Sequence, residues 1–263
     1  MRIRHRLILV FGLIGLVCGQ ARAQSDLPGL LACMRANVPE HGRIQDLELT
    51  TLEGGASSQL KARLYGQERP ERTSLTLQVR APADLEGAAW LFRRSRGKDA
   101  TSTDETFVYL PSVGKVRRVS GGAEDQSLFG TALSYEDVHQ LLSSFRGGAM
   151  SLGPQTQIAG RPSRRLYVLA APGAQVVYDK IVAEVDRESC VVLAAELYRN
   201  GHLRKRMSAA PESLRRLGPH WYPSLITVED LQNGVSTELR VLQAELSPRL
   251  ASRYFEPATF YRE

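Results

Sequence analysis

The sequence is short of the residues on which catalytic and metal centres are usually built. It holds three cysteines and five histidines in 263 residues. No two histidines stand at a metal-ligand spacing such as H-E-x-x-H, so no zinc site of that kind is expected. There is no G-x-S-x-G nucleophile elbow, and neither Cys33 nor Cys190 lies in the local signature of a catalytic thiol. The "SVGK" at Ser112–Lys115 is not a phosphate loop: Tyr109 replaces its first glycine, and Val116 replaces the hydroxyl residue that would meet magnesium. The run "GKDATSTDE" from Gly97 to Glu105 lacks the alternating oxygen ligands and the central glycine of a calcium loop, and reads as a surface loop. Glu136 and Asp137 stand together in the first turn of an expected helix, where they answer its dipole. No catalytic constellation or cofactor is expected, and the chain does not read as an enzyme.

Long apolar runs are also scarce. The one present follows Arg2, Arg4 and Arg6, extends from Leu7 to Val17, and gives way to Ala21-Arg22-Ala23. It falls short of the roughly 20 residues a membrane-spanning helix needs. The order of basic, apolar and small residues is that of a cleaved secretory leader over residues 1–23, which implies a periplasmic protein whose remainder, residues 24–263, forms a single domain.

The basic charge follows from that leader. Four of the 34 Lys and Arg residues and none of the 28 Asp and Glu residues fall within it, so the formal charge drops from +6 to +2. The remaining basic pairs, among them Arg117-Arg118 and Arg204-Lys205-Arg206, are scattered and lack interleaved exposed aromatics; they read as solvated strand faces, and nucleic acid is not an expected partner. Only Cys33 and Cys190 remain, in a compartment that permits disulfides. They are either a bridge from the first helix to the sheet or two separate thiols; the bridge is expected, because an unpaired thiol is a liability outside the cytoplasm.

What the chain has in quantity is strand pattern. "QLKARLYG" puts Leu60, Ala62 and Leu64 on one face, and "SLTLQVR" sets Leu75, Leu77 and Val79 opposite Thr76, Gln78 and Arg80. Further segments, joined in two places by Asn-Gly turns, extend the series. The expected fold is mainly β with α, a curled antiparallel meander or unclosed β-barrel of about eleven strands with helices covering the opening. Asp26 caps a first helix with Leu27, Leu30, Leu31, Met34 and Val38 at helical spacing. Ser134 caps a second, with Asp137 three residues on and Val138, Leu141, Leu142 and Phe145 on one side, before Gly147-Gly148 ends it as a hinge. The stripe alone does not separate packed core from cavity wall.

"RTSLTLQVRAPADLEGAAWLF" from Arg72, "FVYLPSVGKVRRVSG" from Phe107 and "SLFGTALSYEDV" from Ser127, in that order, resemble the outer-membrane lipoprotein-sorting proteins of the LolA/LolB-like superfamily. The likeness continues more weakly to "YFEPATF". It implies a carrier without catalytic residues that holds a lipid or lipoprotein acyl chain in an apolar cavity, working between an RND-type inner-membrane exporter and an outer-membrane acceptor. A lipid-sensing regulator of the same fold is the alternative. On that likeness the expected wall comprises Leu75, Leu77, Val79, Leu91, Phe107, Tyr109, Val138, Leu141, Leu142 and Phe145, with Arg117 and Arg118 on opposite sides of their strand and one at the rim, meeting an anionic headgroup.

Overall fold

The computed structural model describes residues 26–40, 42–96, 102–142, 148–174, 176–247 and 249–262. The expected leader and Phe145 lie outside these, as do the side chains of Leu141 and Leu142.

Helix α1 (Leu27–Ala36) starts at Asp26, whose carboxylate accepts from the Gly29 amide at 2.8 Å, and buries Leu30 and Met34. Six strands follow: β1 (Gly42–Glu53), β2 (Ala56–Arg69), β3 (Arg72–Ala81), β4 (Ala89–Arg96), β5 (Ser102–Leu110) and β6 (Lys115–Val119). Helix α2 (Tyr135–Leu142) leads to β7 (Gly148–Ile158), β8 (Arg161–Ala170), β9 (Lys180–Asp186), β10 (Val192–Arg199) and β11 (His202–Ala209). A short ribbon of β12 (Leu214–Leu217) and β13 (His220–Pro223) precedes β14 (Leu225–Asp230) and β15 (Val235–Ser247).

Thirteen of these strands form one antiparallel sheet in the order β6-β5-β4-β3-β2-β1-β15-β14-β11-β10-β9-β8-β7. The two meanders are joined where the first strand pairs with the last. The sheet does not close: β6 and β7 are its edges, and the chain between them carries α2. The strand count exceeds expectation partly because β7 hides its character. It holds Gly153 and Pro154, which an edge strand tolerates, and its register with β8 slips between Leu152 and Gln155. Gly148 is not a helix hinge but the first residue of β7, where a side-chain Cβ would lie 2.2 Å from the Leu169 carbonyl oxygen.

Three local expectations need correction. The acidic run after residue 101 is strand: Asp104 and Glu105 stand opposite Arg94 and Arg93 on β4 and bind them at 2.8 and 2.7 Å, so charge pairing across the ladder orders what composition reads as loop. Of the two Asn-Gly turns, only Asn200-Gly201 has both residues at positive φ, 51° and 74°. In the other, Gly234 alone is left-handed, and Asp230 organises the longer loop by accepting from the amides of Gln232 and Asn233. Finally, Arg204 and Lys205 are not solvated. A register shift beside Leu197 turns both consecutive side chains inward, where Arg204 binds Asp230 at 2.7 Å.

The "FVYL" stretch is apolar on both faces because both are covered. Val108 and Leu110 join the main core, while Phe107 and Tyr109 face outward, under the C-terminal segment. There Phe260 is fully buried against Ala89 and Leu91, Tyr261 stacks on Tyr109 at 3.9 Å, and Gln78 donates to the Phe260 carbonyl at 2.7 Å.

The turn after β9 is built on Asp186. Burial alone would raise its carboxyl pKa, but two bonds from Arg161 and two from the Ser189 hydroxyl and amide outweigh this and hold it below its ordinary value. The folded pKa is thus below the unfolded one, about 3.9 for aspartate. The stabilisation is complete above the ordinary carboxylate range and is lost as pH falls through the folded value. Thermal midpoints of the wild type and Asp186→Asn should differ most near neutrality and converge in strong acid; a constant gap across pH would refute this role.

Candidate ligand-binding cavity

Alternation along β1–β4 sends Leu47, Leu49, Leu64, Leu75, Leu77 and Trp90 to the inner face, where they meet Ala195, Met207, Ile226, Leu239 and Val241 of the second meander. They enclose a cavity of about 290 Å³, near the lower end of small-molecule pockets. Small residues at Ala195 and Ala209 leave this space unfilled. Met34 of α1 and Val138 of α2 line it too, so both helices cover the inner face of the sheet.

Each helix is tied down at a specific point. Cys33 of α1 is joined to Cys190, in the turn before β10, with Cα atoms 5.8 Å apart. Beyond the helix end, Asn37 donates to the Ser189 carbonyl at 2.6 Å and accepts from the Trp221 amide at 2.8 Å. In α2, the Ser134 side chain accepts from the Asp137 amide, and the Asp137 carboxylate accepts from the Ser134 amide at 2.7 Å, a reciprocal cap. Asp137 does more than answer the dipole. Fully buried, it also accepts from Tyr178 Oη and Lys205 Nζ, each at 2.5 Å. Lys205, itself buried, donates to the Ala132 carbonyl as well. Burial, and then the Asp137 charge, push the Tyr178 phenol far above its ordinary pKa.

The structure brings only part of the expected wall together. Leu75, Leu77 and Val138 line the cavity, and Val79 lies in the same core without lining it. Leu91, Phe107 and Tyr109 do not: period-2 alternation puts them on the opposite face, packed on Phe260 and Tyr261. Arg117 and Arg118 are exposed on edge strand β6, away from the cavity lining; the register puts them on opposite sides, and Arg118 lies 3.8 Å from Glu105. Sequence reading passed over Arg43, Trp90, Met207 and the β1 wall. The alternation in "GRIQDLELT" was a usable signal for β1, but its pairing with β15, far along the chain, was not.

A family model described as that of an uncharacterized protein matches residues 71–262, most of the chain. The chain belongs to this family. A DUF1329 family protein from Desulfovibrio piger is 22% identical, with a TM-score of 0.78 over 86% of this chain and 94% of that one. A domain described as an outer membrane lipoprotein-sorting protein, from Vibrio parahaemolyticus, is 20% identical with a TM-score of 0.78, covering 92% of this chain and all of that one. A LolA superfamily protein from Nitrosomonas europaea is 19% identical with a TM-score of 0.65, over 89% and 97% of the two chains. No curated protein matches the sequence. The chain therefore shares the fold of these solved structures, an open antiparallel sheet, with its cavity on the inner face.

Proposed function

We propose that this protein is a periplasmic carrier that takes a lipid or lipoprotein acyl chain into the inner-face cavity. It moves this cargo between an RND-type inner-membrane exporter and an outer-membrane acceptor. The observation that supports this most is the apolar cavity itself, kept open between a one-sided sheet and two anchored helices. A chain crossing water gains about 0.8 kcal/mol per methylene on burial, so roughly ten methylenes supply about 8 kcal/mol before ordering costs. A gain of that size suits a carrier, which must hold its cargo and still release it. The exporter and acceptor come from the family resemblance.

The test is to fill the cavity. Ala195 is 2% exposed and stands on the cavity lining. Ala195→Trp should weaken retention of a fluorescent fatty acid at least about tenfold while the fold survives, because the indole enters a void; in a close-packed core the same change would strain its surroundings by about 1–3 kcal/mol or more. Retention equal to wild type in a folded variant would remove this cavity from the function.

A further inference from the structure

The cavity lining is mostly apolar, and its charged residues, Arg43 and Glu68, stand at the end where β1 begins and β2 finishes. There Arg43 lies across Gly66: a Cβ at that glycine would stand 2.9 Å from Arg43 Nε and 3.1 Å from its Cγ, so the missing side chain makes room for the guanidinium on the inner face. Arg43 is half-buried, and no hydrogen bond reaches its guanidinium among the described residues. Glu68 acts on it through space, but both Glu68 oxygens are already engaged, one by the Thr73 hydroxyl at 2.5 Å and the other by Arg96. Arg96 thereby offsets the negative charge that would otherwise repel an anion. Packed among so many atoms, the guanidinium is held below its ordinary pKa by desolvation, which Glu68 partly counters. A second donor on the same lining, the buried indole N–H of Trp90, also has no acceptor among the described residues. Partly desolvated donors without acceptors are costly to maintain, and a planar guanidinium fork matches the oxygens of a carboxylate or phosphate.

We propose that Arg43 is the headgroup subsite of the cavity, and that the ligand is an amphiphile with an anionic head, carboxylate or phosphate, whose oxygens meet Arg43 while its chain lies along the apolar wall. This rests on the carrier reading and adds the chemical class of the cargo. It also moves the headgroup contact from the exposed Arg117 and Arg118 to a residue on the lining itself.

The experiment measures equilibrium binding of three fluorescent probes of equal chain length to the purified protein: a fatty acid, a lysophosphatidate and the corresponding fatty alcohol. Arg43→Met should weaken at least one anionic probe by about tenfold or more and leave the alcohol within about twofold. Which anion is affected identifies the head as carboxylate, phosphate or either. Gly66→Ala, which keeps the charge but displaces the guanidinium, should erase the same preference, and guards against a variant that fails to fold. Unchanged anion binding in folded Arg43→Met overturns the subsite but leaves the carrier reading intact. Equal weakening of acid and alcohol also overturns it, since that marks a packing role. If the wild type binds none of the three, the carrier reading fails and this inference with it.

Discussion

Replacing Lys205 with Met should destabilise the protein by about 3–5 kcal/mol, the range for removing one partner of a buried ion pair. Both partners are out of water, Lys205 at 2% and Asp137 at 0% exposure. Methionine removes the charge while nearly preserving the stem, so most of the loss measures the carboxylate left behind rather than a cavity. The Ala132 carbonyl loses its donor in the same step. Adding Asp137→Asn should restore a large part of the loss. The neutral amide keeps its oxygen for the Ser134 cap, its NH2 can donate to the Tyr178 hydroxyl in place of accepting from it, and no uncompensated charge remains. Guanidinium unfolding of the wild type, the single and the double variant measures both quantities. A single-variant cost below about 1 kcal/mol, or no recovery in the double, would show that the pair does not anchor α2 as argued.

Breaking the Cys33–Cys190 bridge should have an effect of similar size. The bridged residues are 157 apart in sequence, and for a loop of that length the chain-entropy model gives about 5 kcal/mol, with about 2–4 kcal/mol more usual in practice. For a protein of this size, that is a fall of about 10 °C in thermal midpoint. The loss should reach function too, because α1 contributes Met34 to the cavity and its end is held beside Ser189 and Trp221. The double variant Cys33→Ala/Cys190→Ala should therefore melt lower and retain a fluorescent fatty acid less well. Thiol labelling of the denatured, unreduced protein beginning at Gln24 checks the premise: two free thiols per chain would contradict the bridge.

Most of the elements were legible in the sequence. Period-2 alternation marks β2 and β3, Asp26 and Ser134 mark the two helix starts, and the only two cysteines beyond residue 23 had few arrangements open to them. These are local properties, carried by neighbouring residues and by backbone geometry that a short segment expresses by itself. The face on which a strand residue does its work is of another kind. Alternation says that Phe107 and Val108 point to opposite sides, but only the C-terminal segment, folded over β3–β5, makes the Phe107 side a second small core and leaves the Val108 side to the main one. A bulge beside Leu197 turned Arg204 and Lys205 inward together, against the alternation that would have exposed one of them. The meeting of Arg43 with Gly66, and of both with the wall of the second meander, depends on β1 pairing with β15, a contact between distant parts of the chain. The sequence by itself determined that this chain makes an antiparallel sheet with two one-sided helices. Tertiary structure decided which apolar surface became packed core and which became cavity, because that choice depends on how completely distant segments fill the space they enclose.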